Sequence, residues 1–195
     1  EIDNAGPVVL TLKKSKPQGQ LNNKFFPIHT TSAELILMSE FDYQFLPLYT
    51  DDNKKFKVVY EVDEGSGFSP VWSGFIIPSV YNEPFIAAPY PVNISITDNL
   101  VTLTEELFTD DDGNLLNGQV KLIKVIATIL KKTGLELNIK SGINIFEENH
   151  DTDPEDDPLD QTYVELSCYR DEDGEAFSCW DVLKAILEPF GARVF

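Results

Sequence analysis

Two apolar runs flank a stretch of turn residues, and this pairing constrains the chain more than any other feature. Phe56-Lys57-Val58-Val59-Tyr60-Glu61-Val62 precedes Asp63-Glu64-Gly65-Ser66-Gly67, and Val71-Trp72-Ser73-Gly74-Phe75-Ile76-Ile77 follows it. β-branched and aromatic residues pack well on a pleated surface, and Gly and Asp supply the turn, so a long β-hairpin is expected. Pro-Val-Val-Leu-Thr-Leu-Lys-Lys (7–14) and Val-Asn-Ile-Ser-Ile (92–96) read as further strands. In Thr-Ser-Ala-Glu-Leu-Ile-Leu-Met-Ser-Glu (31–40) helix and strand compete, and the neighbouring turn residues and the later strands favour strand. Residues 15–30 are polar and read as a loop. Pro78, Pro84, Pro89 and Pro91 make 78–91 an extended connection that cannot lie in the centre of a sheet. About five strands separated by turns suggest a small barrel or sandwich.

The pattern changes after Leu103. Leu122, Val125, Ile126, Ile129 and Leu130 fall at helical spacing and predict a helix over about 117–132, with Asn117 as N-cap, Lys131 and Lys132 at the C-terminal dipole and Gly134 past the end. Leu135–Ile139 and Thr162–Leu166 read as short strands, and the acidic, proline-containing stretch 147–160 as a solvated loop. A second helix is expected over about 179–188, opened by Ser178 with Asp181 as a capping-box variant and ended by Pro189. No repeat is visible by eye. The fold class read from these patterns is α+β and β-rich. A β-barrel domain over 1–104 precedes a smaller mixed α/β domain over 105–195. The final Gly191-Ala192-Arg193-Val194-Phe195 reads as an opening strand cut short, so a fragment of a longer polypeptide is expected.

Charge narrows the function classes. The chain holds 33 acidic and 15 basic residues, a net of −18, and two arginines. Counterion release on a phosphate backbone needs Lys and Arg, so nucleic-acid binding is disfavoured, as is docking on an anionic membrane. No run of 18 apolar residues is present to cross a bilayer. Residues 101–195 carry most of the negative charge, which reads either as solubility or as a patch that meets a basic partner.

The reactive residue types form no recognisable set. His29 and His150 stand far apart in sequence, and neither is marked by a third orienting group. Asp110-Asp111-Asp112-Gly113 and Asp171-Glu172-Asp173-Gly174 each contain part of a calcium loop, but Phe108 and Tyr169 occupy the first ligand position. Cys168 and Cys179 read as a pair of buried, reduced thiols. Asn93-Ile94-Ser95 matches a glycosylation acceptor inside a strand. No enzyme activity, no cofactor and no metal is expected. Trp72, Phe75, Tyr81, Phe85 and Tyr90 cluster within twenty residues, and they are either core or an interaction surface for a protein or a sugar.

Three stretches carry a resemblance when read together. The first runs from Thr31-Ser32-Ala33-Glu34-Leu35 to the hairpin ending in Trp72-Ser73-Gly74-Phe75-Ile76. The second is Val92-Asn93-Ile94-Ser95-Ile96-Thr97-Asp98-Asn99-Leu100, which resembles an element closing on Thr-Asp-Gly-Leu, with Asn99 where the pattern has Gly. The third is Ser178-Cys179-Trp180-Asp181-Val182-Leu183-Lys184-Ala185-Ile186-Leu187-Glu188-Pro189-Phe190-Gly191-Ala192-Arg193. Together they resemble the amino-terminal part of tail-tip or baseplate hub proteins from phages and prophages of Bacteroides-like bacteria, relatives of contractile-tail hubs and type VI secretion spikes. The resemblance implies small β-barrel domains assembled as a ring, commonly a trimer, with other tail proteins as partners. It also implies a location in the phage tail, or in the bacterial cytoplasm when expressed from a prophage. A distal tail adaptor of the same particle and an extracellular carbohydrate-binding module are the alternatives.

Overall fold

The structure, a computed structural model, describes residues 9–14, 26–65, 67–78, 82–135, 138–153 and 157–194. The fold is α+β and strand-rich. The chain divides into two compact units, residues 1–19 with 30–99 and residues 20–29 with 100–195.

The first unit is an antiparallel sheet of five strands: β1 (Val9–Lys14), β2 (Thr31–Ser39), β3 (Lys57–Asp63), β4 (Phe68–Ile76) and β5 (Tyr90–Thr97). Their order is β1-β2-β5-β4-β3. Alternation decides which face is buried. Tyr90, Val92, Ile94 and Ile96 of β5 share one face with Ala33 and Leu37 of β2, and all six are buried. A 3₁₀ turn at Leu46–Leu48 supplies Leu48, which joins Phe45 and Ile76 in this core. Burying each such side chain contributes about 1.5–3 kcal/mol.

The expected barrel does not close. Closure needs a ladder between the two outermost strands. Among the described residues β1 pairs only with β2, and β3 only with β4. The reason lies at the other side of the hairpin. β4 shares just two residue pairs with β5, Phe75↔Thr97 and Ile76↔Ile96, before the β3–β4 arm leaves the sheet. At its root a Cβ on Gly74 would come within 2.6 Å of both the Thr97 carbonyl oxygen and the Trp72 ring.

The second unit is built from one piece used twice, which the sequence did not show by eye. A 3₁₀ turn at Leu100–Thr104 precedes the turn Asp110–Asn114, then β6 (Gln119–Lys121) and α1 (Leu122–Lys131). The short helix α2 (Pro158–Gln161) and β7 (Tyr163–Glu165) precede the turn Asp171–Glu175 and then α3 (Cys179–Leu187). The two turns have the same wiring. Asp110 Oδ1 accepts from the backbone N–H of Asp112 and Asn114, and Asp171 Oδ1 from those of Asp173 and Glu175. The bridges Thr109↔Leu115 and Arg170↔Ala176 close them. Each helix then runs into a glycine with positive φ, Gly134 at 83° and Gly191 at 56°, where a Cβ would be strained.

The copies exchange partners. The strand leaving the first turn pairs with the strand entering the second, β6 with β7. The strand entering the first meets the exit of the second at Leu107↔Ser178. α1 packs on α2, and α3 on the turn at Leu100–Thr104. The equivalent residues Phe108 and Tyr169 meet edge to face at 5.6 Å. Val125, Ile126 and Ile129 of α1 and Val182, Leu183 and Ile186 of α3 fill one core.

Four sequence expectations are corrected here. Helix α1 begins at Leu122 rather than near Asn117. Gly118 and the residues after it are held by the second copy, with Gly118 N donating to Glu165 Oε1 at 3.0 Å and Leu166 N donating to Gly118 O at 3.0 Å. Asn117 accepts from Arg170 Nη2 at 2.6 Å instead of capping the helix. The strand expected over 135–139 is not formed at 138–139, and 136–137 lie outside the described residues. The acidic loop contains α2, whose first turn is capped by Asp157 through Leu159 N. Helix α3 begins as expected, with Ser178 Oγ accepting from Asp181 N at 3.1 Å. Of the polar loop expected over 15–30, residues 15–25 lie outside the described residues, and Phe26 and Ile28 are buried in the core of the second unit, where Ile28 bridges Val194.

Gly74→Ala tests the junction of arm and sheet. The added methyl must displace backbone, an overpacking cost of about 1–3 kcal/mol, read as a lower urea midpoint at unchanged slope.

Candidate interaction surface

Two loops of the first unit meet at one carboxylate. Residues 40–49 leave β2 in a turn fixed by Gln44, whose Oε1 accepts from Glu40 N at 2.7 Å. Ser39 Oγ donates to Phe41 O at 2.9 Å. This turn holds Tyr43 at φ 63°, an uncommon conformation for a bulky residue. Tyr43 N donates to Glu83 Oε2 at 3.1 Å, and Tyr90 OH donates to the same oxygen at 2.9 Å. Glu83 thus ties the Pro-rich connection to the turn. Tyr90 is 1% exposed, so its hydroxyl needs this partner. Burial raises the phenol above its ordinary value, and the Glu83 hydrogen bond and the nearby Glu83 and Asp42 charges raise it further.

A depression of about 350 Å³ opens here, lined by Asp42, Tyr43, Glu83, Phe85, Ile86 and Tyr90 among others. Phe41, Tyr43, Leu46, Tyr49, Phe85 and Ile86 are exposed on the two loops. Apolar exposure of this kind, rimmed by two carboxylates, is what a protein contact surface presents.

The five aromatic residues singled out in the sequence separate. Phe75 is 4% exposed and Tyr90 is interior, so neither is a surface residue. Trp72 is half-buried, and its indole N–H donates to Thr31 Oγ1 at 2.9 Å. Tyr81 lies outside the described residues. Only Phe85 of the remaining four is fully exposed. Phe41, Tyr43, Leu46, Tyr49, Ile86 and Glu83 were missed. The one signal for those in the turn was the run Phe41–Tyr49, dense in aromatic and aliphatic residues yet without strand or helix spacing, and nothing in the sequence marked Glu83 or Ile86.

The other chemistry-bearing residues remain apart. His29 is half-buried, and its Nε2 is enclosed with no hydrogen-bond partner. His150 Nδ1 accepts from Glu147 N at 3.2 Å, with its ring edge to face against Phe146. Among the described residues no group of three His, Cys, Asp or Glu side chains could hold a metal ion. The Asn114 backbone N–H beside Asp110 holds that carboxyl below the usual range, so the turn carboxylate serves its own backbone. Both cysteines are free, but they are not a buried pair. Cys168 is exposed in the 3₁₀ turn Leu166–Cys168, and Cys179 is buried at the start of α3. Burial pushes the Cys179 thiol up to about 11, and its Sγ–H donates to Leu107 O. No helix among the described residues is long and apolar enough to cross a membrane.

No protein-family model, curated protein or solved structure matches this chain.

The Glu83–Tyr90 bond is checked by alkaline titration of tyrosine absorbance. Tyr90→Phe removes one late-titrating phenol, and Glu83→Gln brings that phenol back toward its ordinary value. Because folding raises this pKa, its stabilisation is full below pH about 10 and is lost as pH rises through the folded value. Thiol labelling at pH 8 gives the second check. Iodoacetamide modifies the Cys168 peptide in the native protein, and the Cys179 peptide only after denaturation.

Proposed function

We propose that this chain is a structural component of the tail tip or baseplate hub of a phage-type particle. It works by protein–protein contact with other tail proteins and carries no chemistry of its own. The observation that carries the reading is the exposed apolar collar around Glu83, where Phe85 and Ile86 face Tyr43 across a depression with an acidic rim. A surface that covers such side chains on assembly offsets the cost of exposing them beforehand.

Local geometry supports the resemblance on which the reading rests. Asn99, standing where the family pattern has Gly, takes φ 60°, the conformation that Gly serves and Asn tolerates. After α3 the chain passes Gly191 and forms a parallel bridge between Val194 and Ile28, which fits a step from helix through Phe-Gly-Ala-Arg to strand. The burial of Phe75 and Tyr90 counts against the sugar-binding alternative, because those rings cannot form an exposed stacking platform.

Immunogold labelling of tail particles purified from the encoding culture tests the proposal. Label is expected at the tail tip, and its absence from intact particles would reject the reading. Phe85→Ser with Ile86→Ser, both at exposed side chains, is expected to leave the circular dichroism spectrum unchanged and to lower incorporation into particles at least tenfold.

A further inference from the structure

We propose that the first unit joins a second copy of itself head to tail, β1 of one copy adding to β3 of the next. This inference rests on the assembly reading above and names its partner as an identical chain.

Both outer strands have an edge without a ladder partner among the described residues. Free edges are templates for strand addition. They are also where exposed apolar side chains gather: Val9 and Leu12 on β1, Val59 and Tyr60 on β3, and Phe68 and Val71 on the adjoining half of β4. The outer half of the β3–β4 arm is exposed on both faces, except at Val62. A two-stranded ribbon of this kind is marginal in water and gains from a third strand.

Strand direction selects the mode of joining. Every neighbouring pair in the sheet is antiparallel, so with five strands β1 and β3 run the same way. A rotation about an axis along the strands therefore brings β1 of one copy parallel to β3 of its neighbour. A two-fold join of like strands covers one edge in each copy and leaves the other open. The head-to-tail join covers both, and repetition closes a ring.

Side-chain parity and charge agree with it. Leu10 and Val58 both pack against the core face, so a parallel register that sets them side by side also sets Leu12 beside Tyr60. The same register sets Lys13 beside Glu61 on the opposite face. Lys13 already meets Glu34 of its own chain at 2.6 Å and remains 57% exposed, so it can bridge both carboxylates. β1 ends in Lys13-Lys14, and β3 in Glu61-Val62-Asp63. The edges are thus complementary to each other.

The test uses the full-length protein and two edge variants in sedimentation velocity. Leu12→Glu/Lys13→Glu blocks β1 with acidic groups, and Lys57→Glu/Val59→Glu blocks β3 in the same way. The unmodified protein is expected to sediment as an oligomer and each variant alone as a monomer. Their equimolar mixture should give a dimer and nothing larger, since one intact edge of each kind remains. A monomeric unmodified protein overturns the join, as does a variant that keeps the full assembly or a mixture that stays monomeric. Crosslinking supplies an independent reading should a variant misfold. In a Cys168→Ser background, Lys13→Cys with Glu61→Cys gives a covalent ladder of copies on mild oxidation, and its absence overturns the join. The outcomes separate from the tail-tip proposal. Loss of the oligomer leaves particle labelling untouched, and absence of label leaves the strand join standing.

Discussion

The buried carboxylate of Asp98 organises the first unit. It is 6% exposed, and an ion so enclosed is tolerated only with its hydrogen bonds made. Thr31 supplies two of them, from its backbone N–H and from its hydroxyl at 2.8 Å. The hydroxyl oxygen in turn accepts the Trp72 indole N–H, and Asp98 N donates back to Thr31 O at 3.2 Å. The start of β2, the end of β5 and the middle of β4 are fixed by this one node. It matters because the β-ladder alone holds β4 to β5 through only two residue pairs. The Trp72 ring, anchored in this way, lies where Gly74 has no side chain. These contacts hold the root of the β3–β4 arm where β4 meets β5.

Local periodicity carried what was legible in the sequence. The alternation at 92–96 and the β-branched and aromatic run at 57–62 do lie in strands, and helix α3 opens at a serine that caps it. Tyr90 and Pro91, by contrast, read as part of a connection that could not be central, yet they begin the central strand β5. The failures are non-local. Asn117 has the chemistry of an N-cap, but Arg170, far along the chain, claims its side chain. Barrel closure depends on edges that no single segment reports. The aromatic cluster mixed two kinds of residue. Tyr90 shares strand parity with Val92, Ile94 and Ile96 and is core for that reason, whereas Phe85 follows Pro84 in a segment with no ladder to bury it. The loop at 41–49, which supplies most of the apolar collar, obeys no period at all. The duplication was masked by Asn117–Val120, additional residues between turn and helix in the first copy that put turns and helices at different spacings.

The acidity of the chain has a structural share that composition did not reveal. Asp110 and Asp171 are turn-formers whose carboxylates are bound to their own backbones, and Asp157 and Ser178 with Asp181 open helices. Part of the net −18 thus shapes the second unit. The carboxylates left for recognition at the collar are few, Asp42 and Glu83, and Glu83 also holds two loops together.

The exchange of strands and helices between the two copies in the second unit bears on how the chain acquires its structure during synthesis. Each copy finds its strand partner and its helix-packing partner in the other, so the first has nothing to fold against when it leaves the ribosome. Val125, Ile126 and Ile129 share one core with Val182, Leu183 and Ile186, so their burial stays incomplete until α3 emerges. Completion then comes in one cooperative event rather than piece by piece. Helix α3 acts as the keystone of this unit, and without it an apolar half would stay exposed for quality control to remove.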